Sequence, residues 1–116
     1  MEQINKIEIR GRVGNSRIVE VSGKNVCHFS VATNSVFRTT DGQMVEEVTW
    51  HNCTLWGSRK YPDLGIVKVG GGIEVKGRMK ISRYTGSDGV DRYSYEVIVS
   101  ECKPLPDDEV LTPIVG

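Results

Sequence analysis

Two tryptophans, Trp50 and Trp56, stand six residues apart in the stretch EEVTWHNCTLWG, with Asn52 and Thr54 between them. An indole offers a flat π-face that stacks on nucleobases or sugar rings, provided the ring leaves the core. The other reactive groups are sparse: Cys27 adjoins His28, Cys53 lies two residues past His51, and Cys102 is alone. Imidazole and thiolate are zinc ligands, but structural zinc modules draw on closely spaced pairs such as CxxC, and the chain has none. The triplet Gly70, Gly71 and Gly72 lacks the GK[ST] of a phosphate-cradling P-loop. No constellation of nucleophile, base and acid is visible, so neither catalysis, a metal nor a cofactor is expected. A small metal-dependent enzyme built on the Cys and His residues is the remote alternative.

What positions the indoles is the pleat of a strand. Successive side chains alternate between faces, so Val48, Trp50, Asn52, Thr54 and Trp56 share one face and Thr49, His51, Cys53 and Leu55 the other. Cys53 and Leu55 suit a small core, whereas the tryptophan face would bury an amide and a hydroxyl as well. That weighing turns the tryptophans outward. Large aromatics with one polar edge also fill ordinary cores, and this strand alone leaves both readings open.

Four further segments carry the same period of two. KIEIRGRV places Ile7, Ile9, Gly11 and Val13 together, and NVCHFSVATNS does so for Cys27, Phe29, Val31 and Thr33. In GIEVKGRMKISRY, Ile73, Val75, Gly77, Met79 and Ile81 oppose Glu74, Lys76, Arg78, Lys80 and Ser82, and in DRYSYEVIVS Tyr93, Tyr95, Val97 and Val99 fall in register. Asp-Gly pairs mark turns after FRTT and after Ser87. The one place for a helix, residues 57–72, holds Pro62, Gly65 and the glycine triplet, which limit it to a turn or two. Five strands with glycine at the midpoints of two predict a small, sharply bent, all-β barrel. An OB-fold and an SH3-like barrel both fit that count.

At 116 residues the chain is sized for one domain, and 38% hydrophobic with 26% charged residues is ordinary soluble-protein composition. No apolar run approaches a membrane span, and MEQINKIEIRGRVG lacks the apolar region of a signal peptide, so a cytoplasmic protein is expected. An odd number of cysteines without CxxC speaks against a disulfide framework. The net charge is zero, yet residues 1–106 carry fifteen basic against twelve acidic side chains, a net of +3. So mild an excess acts on a polyanion only through its placement on one face. Lys76, Arg78 and Lys80 make such a stripe, flanked by Arg83 and Arg92, with Arg10, Arg12 and Arg38 as weaker candidates. Alternating charge is also the ordinary dress of a solvated strand face.

INKIEIRGRVG, FSVATNSVFR, EEVTWHNCTLWG, IEVKGRMKISRY and GSDGVDRYSYEVIV occur in an order and spacing that resembles the bacterial single-stranded DNA-binding protein (SSB) family, over about residues 4–100. The resemblance implies an all-β, five-stranded OB-fold Greek-key barrel with a long hairpin between strands four and five and little or no helix. It implies DNA-stacking aromatics at Phe37, Trp50, Trp56 and Tyr84, and phosphate contacts from the basic residues just named. It also implies a homotetramer, a dimer of dimers, in which the first strand, with Ile7 and Ile9, pairs across a dimer contact and His51 lies near a subunit boundary. The function expected from it is sequence-tolerant binding and protection of single-stranded DNA in replication, recombination or repair, in the bacterial cytoplasm and at the nucleoid. The alternative is an OB-fold accessory protein of a replication or mobile-element assembly that binds mainly protein.

Family members usually continue through a long linker to an acidic tip with apolar terminal residues that recruits replication and repair proteins. Here residues 1–103 read as the DNA-binding domain and 104–116, KPLPDDEVLTPIVG from position 103 on, as a short flexible tail with an acidic triplet and an apolar end. Such a tail is a minimal version of that tip, a truncation of a longer one, or a strand-like segment packing on a neighbour. With Phe37 and Tyr84 at positions often held by Trp and a short glycine-rich connector for the family's helix, the chain resembles a divergent member. A plasmid, phage or mobile-element version fits these departures.

Overall fold

The computed structural model describes residues 1–116 and contains six strands: β1 Ile7–Val21, β2 Lys24–Arg38, β3 Met44–Trp56, β4 Gly72–Thr85, β5 Asp91–Pro104 and β6 Ile114–Val115. The only helical element is a single 3-10 turn, Leu64–Ile66, capped by the Asp63 carboxylate, which accepts from the Gly65 amide at 2.8 Å. Pro62 and Gly65 keep it that short.

β1 pairs antiparallel with β4 over Ile7–Arg12 and with β2 over Arg12–Val21, so one bent strand serves both halves of the sheet. β3 and β5 meet in parallel register at Cys53↔Val97 and Thr54↔Ile98. These pairings close β1-β2-β3-β5-β4 into a barrel with the Greek-key order of an OB-fold, which settles the choice that periodicity left open between it and an SH3-like barrel. The bends need bare backbone. A Cβ on Gly11 would stand 2.9 Å from Val31 Cγ1, and one on Gly77, at the β4–β5 irregularity, 2.9 Å from the Ile98 carbonyl carbon.

Ile9, Val13, Phe29, Val31, Leu55, Ile73, Val75 and Val97 fill the interior, joined by Leu64 and Val67 from the connector. Cys27, Cys53 and Cys102 are buried free thiols. Burial, aided by the neighbouring thiols, pushes Cys53 up to about 12 and Cys102 to about 11, so both stay protonated at neutral pH and are poor metal ligands.

Three features bear on these expectations. First, Ile9 points into the core at 5% exposure and Ile7 is half-buried against it, leaving the backbone edge of β1 more open than these side chains. Over Ile7–Gly11 that edge, away from β4, has no strand partner in the chain. Second, the β4–β5 hairpin outruns the barrel, so Ile81, Tyr93 and Tyr95 keep the phase of Met79 and Val97 but are exposed. Third, the segment after residue 103 is laid against the barrel: the Leu105 amide donates to the Gly72 carbonyl at 2.9 Å, and β6 runs parallel to β2 at Ser35↔Ile114 and Val36↔Val115. β6 thereby covers the edge of β2 that β1 leaves when it crosses to β4. No helix of the structure is long and apolar enough to cross a membrane.

Candidate nucleic-acid interface

The pleat of β3 turns Cys53 and Leu55 into the core and leaves Trp50 and Trp56 on the outer face, 57% and 41% exposed. Thr54, on the same outer face, is nevertheless buried, because its hydroxyl is enclosed by polar partners: it donates to Glu96 Oε2 at 2.7 Å and meets His28 Nδ1 at 3.2 Å. The register carries this position across the whole barrel. Arg17 pairs with His28, His28 with Thr54, Thr54 with Ile98 and Ile98 with Arg78, so one transverse row on the outer surface begins and ends in an arginine.

Trp50 has a seat. At the β1 bulge between Val13 and Asn15, a Cβ on Gly14 would stand 2.6 Å from Trp50 Cη2, closer still to Cζ3, and 3.2 Å from the Ser30 hydroxyl. The indole therefore rests on the bare backbone of Gly14 while more than half of its surface stays open.

The eight basic residues singled out from sequence divide by what already holds them. Arg10 pairs with Glu74 at 3.0 Å, and its hydrogen bond keeps that carboxyl below the usual range. Arg83 pairs with Asp91 at 3.6 Å, Lys76 with Glu8 at 4.0 Å, and Arg92 grips both oxygens of Asp88. Arg12 and Arg38 donate to the carbonyls of Gly70 and Gly42. Arg78 and Lys80 have no such partner, and both lie on the outer face of β4, in one phase with Tyr84, which is 50% exposed. Exposed ion pairs of this kind are worth little, so phosphate competes for the paired cations at small cost, but Arg78 and Lys80 are available outright. Arg17 is a cation that sequence reading missed: its face depends on the Gly14 bulge, which no period-2 pattern announces.

Two proposed residues stand apart from this surface. Phe37 pairs with Val45 and lies five residues from Ala32, the partner of Trp50, so the pleat sends it to the opposite face of the β2–β3 ribbon, half-buried. His51 shares that other face and is hydrogen-bonded through Nε2 to Thr33 Oγ1 at 2.9 Å. Burial pulls its pKa below the ordinary histidine value. It lines a concavity of about 750 Å³ together with Ile7, Ile9 and the segment around Val110 and Leu111.

Comparison with known proteins agrees with this geometry. Residues 4–105 match the model of the single-strand binding protein family. A single-stranded DNA-binding protein of Neisseria meningitidis serogroup A is 36% identical over 106 residues, covering 88% of this chain and 60% of the relative, and one of Xanthomonas axonopodis pv. citri is 29% identical over 104 residues, covering 88% and 58%. The chain thus spans about 60% of the length of the curated relatives it matches. Among solved structures, a Plasmodium falciparum SSB in complex with ssDNA superposes with a TM-score of 0.77 at 23% identity, over 91% of this chain and 98% of that one, which shows the shared fold. The chain belongs to the single-strand binding protein family, as a divergent member.

Proposed function

We propose that this member of the single-strand binding protein family binds single-stranded DNA with tolerance for sequence, protecting it during replication, recombination or repair, and performs no catalysis. The observation that carries the reading is the outer face on which Trp50 and Trp56 of β3 are exposed, with Arg78 and Lys80, which form no ion pair, one strand further on across β5. Rings that stack on any base, with cations that follow the phosphates, are what sequence-tolerant binding needs. Tyr84 extends the track onto the hairpin, and the paired residues Arg10, Arg12, Arg38, Lys76, Arg83 and Arg92 surround it. Phe37 reaches the same strand only if DNA wraps around the β2–β3 ribbon.

The free edge of β1 and the apolar face of Ile81, Tyr93 and Tyr95 support self-association, and a homotetramer is the assembly we propose, with His51 beside a subunit boundary. Residues 1–103 form the binding domain and 104–116 an appended segment that recruits replication or repair proteins. The place of action is the bacterial cytoplasm, at the nucleoid.

The test is a titration with oligothymidine read by tryptophan emission. Saturation should quench the two indoles, and Trp56→Ala should cost on the order of 1–3 kcal/mol of binding with little loss of folding stability. Trp56→Phe should keep most of the binding and Trp56→Leu should lose it while remaining folded. A core tryptophan would instead cost on the order of 3–5 kcal/mol of folding stability on truncation. Unchanged emission at saturating DNA, or a 12.9 kDa monomer in solution at micromolar concentration, would count against the binding and the assembly respectively.

A further inference from the structure

Between the two tryptophans lies a carboxylate where a polyanion is expected to pass, and its surroundings give it a use. Glu96 stands on the outer face of β5, pairs in register with Lys80 without an ion pair, and accepts only from the Thr54 hydroxyl, through Oε2. It lines a cleft of about 480 Å³ with Arg17, His28, Asn52 and Thr54. The hydrogen-bond inventory fixes the polarity of the cluster. An ionised carboxylate only accepts, so Thr54 must donate to it, and the single Thr54 proton being spent, its oxygen accepts from His28 Nδ1–H. In the tautomer that carries its proton on Nδ1, Nε2 is left to accept. Together with the free oxygen of Glu96, this corner of the cleft presents acceptors, while the amides of Asn15 and Asn52 elsewhere in the lining both donate and accept and Arg17 supplies the one cation.

We propose that this cleft is a base-edge subsite that selects an amino-bearing base, cytosine above all among the pyrimidines, at one position of an otherwise sequence-tolerant track. The proposal rests on the single-strand-binding reading above. The exocyclic amine of cytosine donates to the Glu96 carboxylate, whereas thymine and uracil bring a carbonyl to the same place and meet a like partial charge. Arg17 and Arg78, at the two ends of the row, are placed to take the flanking phosphates. Burying Thr54 requires only one acceptor, and the second oxygen of Glu96 serves no contact within the chain.

Oligo(dC) and oligo(dU) of equal length differ at this edge and little in stacking, so their affinities for the full chain separate the terms. The wild-type protein should prefer oligo(dC) by roughly five- to 150-fold, the discrimination of one good base contact. Glu96→Gln retains a carbonyl for Thr54 but can turn an NH₂ to the base, so the ratio should fall toward one while affinity for oligo(dU) rises. Equal binding of both oligomers by the wild type, or a preference unmoved in a folded Glu96→Gln, overturns the subsite and leaves single-strand binding standing. Binding to neither oligomer overturns the nucleic-acid reading itself and the subsite with it. The wild-type comparison decides even if the variant does not fold.

Discussion

Replacing Gly14 by Ala should damage binding although no residue expected to contact DNA is itself replaced. The added methyl would stand 2.6 Å from Trp50 Cη2, where carbon atoms settle at about 3.5–4.0 Å, so the ring must move away by about 1 Å or rotate. The atoms that clash belong to the far end of an exposed side chain, and Gly14 has no left-handed backbone to strain an alanine. The clash is therefore relieved by the indole, not by the barrel. Folding stability should change little, with any backbone-entropy gain from the alanine of about 0.4–1 kcal/mol offsetting the displaced ring. Binding loses up to one stacked base, about 1–3 kcal/mol, or about five- to 150-fold in affinity. The assay is a fluorescence titration with oligothymidine, with thermal melts as the control. Coupling gives the sharper result: in a Trp50→Ala background, Gly14→Ala should have no further effect on affinity. Equal losses in both backgrounds, or wild-type affinity in Gly14→Ala alone, would refute the claim that the glycine seats the ring.

The remaining predictions concern charge. For single strands log K falls with log salt by about 0.7 per phosphate contact, so Arg78→Ala should reduce the slope by about 0.7, whereas Arg92→Ala, whose guanidinium is already held by Asp88, should reduce it less; equal reductions would show that the free and paired cations are not distinct. Because burial lowers the pKa of His51, the unfolded chain takes up a proton there more readily than the folded one below pH 6.5. The contribution of His51 is therefore present above about pH 6.5 and lost as pH falls through the folded value, so melting temperature should drop on acidification and His51→Asn should flatten the drop. A variant with an unchanged acid profile would remove His51 as its cause.

The strands, their inward faces and the outward tryptophans were legible because each depends on a period of two and on what a small core accepts. Gly11 and Gly77 advertised the bends. What was not legible depends on places where the period breaks or the barrel ends. The bulge at Gly14 sets the face of Arg17 and the seat of Trp50, and a bulge leaves no mark in a pattern of alternation. Tyr93 and Tyr95 match Val97 in phase, but the hairpin continues past the last barrel layer, and phase says nothing about where a core stops. Phe37 follows from family resemblance, and the five-residue offset from Ala32 that turns it to the other face appears only once the register is known. The inward turn of Ile9 is legible from its alternation with Arg10, and the open backbone edge of β1 beside it shows only in the pairing. The pairing of the tail with β2 is not legible because its two-residue strand is too short to carry a pattern.

The closure of the barrel is unequal around its girth. β2 and β3 are joined through thirteen registered residue pairs, as are β4 and β5, but β3 meets β5 at only two. Mechanically the molecule is a pair of stiff ribbons hinged through β1 and clasped at one short seam, and opening that seam sacrifices few backbone hydrogen bonds. The Thr54 hydroxyl and the Glu96 carboxylate reach across it as a side-chain clasp. A strand lying along the row from Arg17 to Arg78 would grip both lips of the seam at once. A ligand that binds only the closed seam would stabilise it by its own binding free energy, and the barrel would be hardest to spring open when it is occupied.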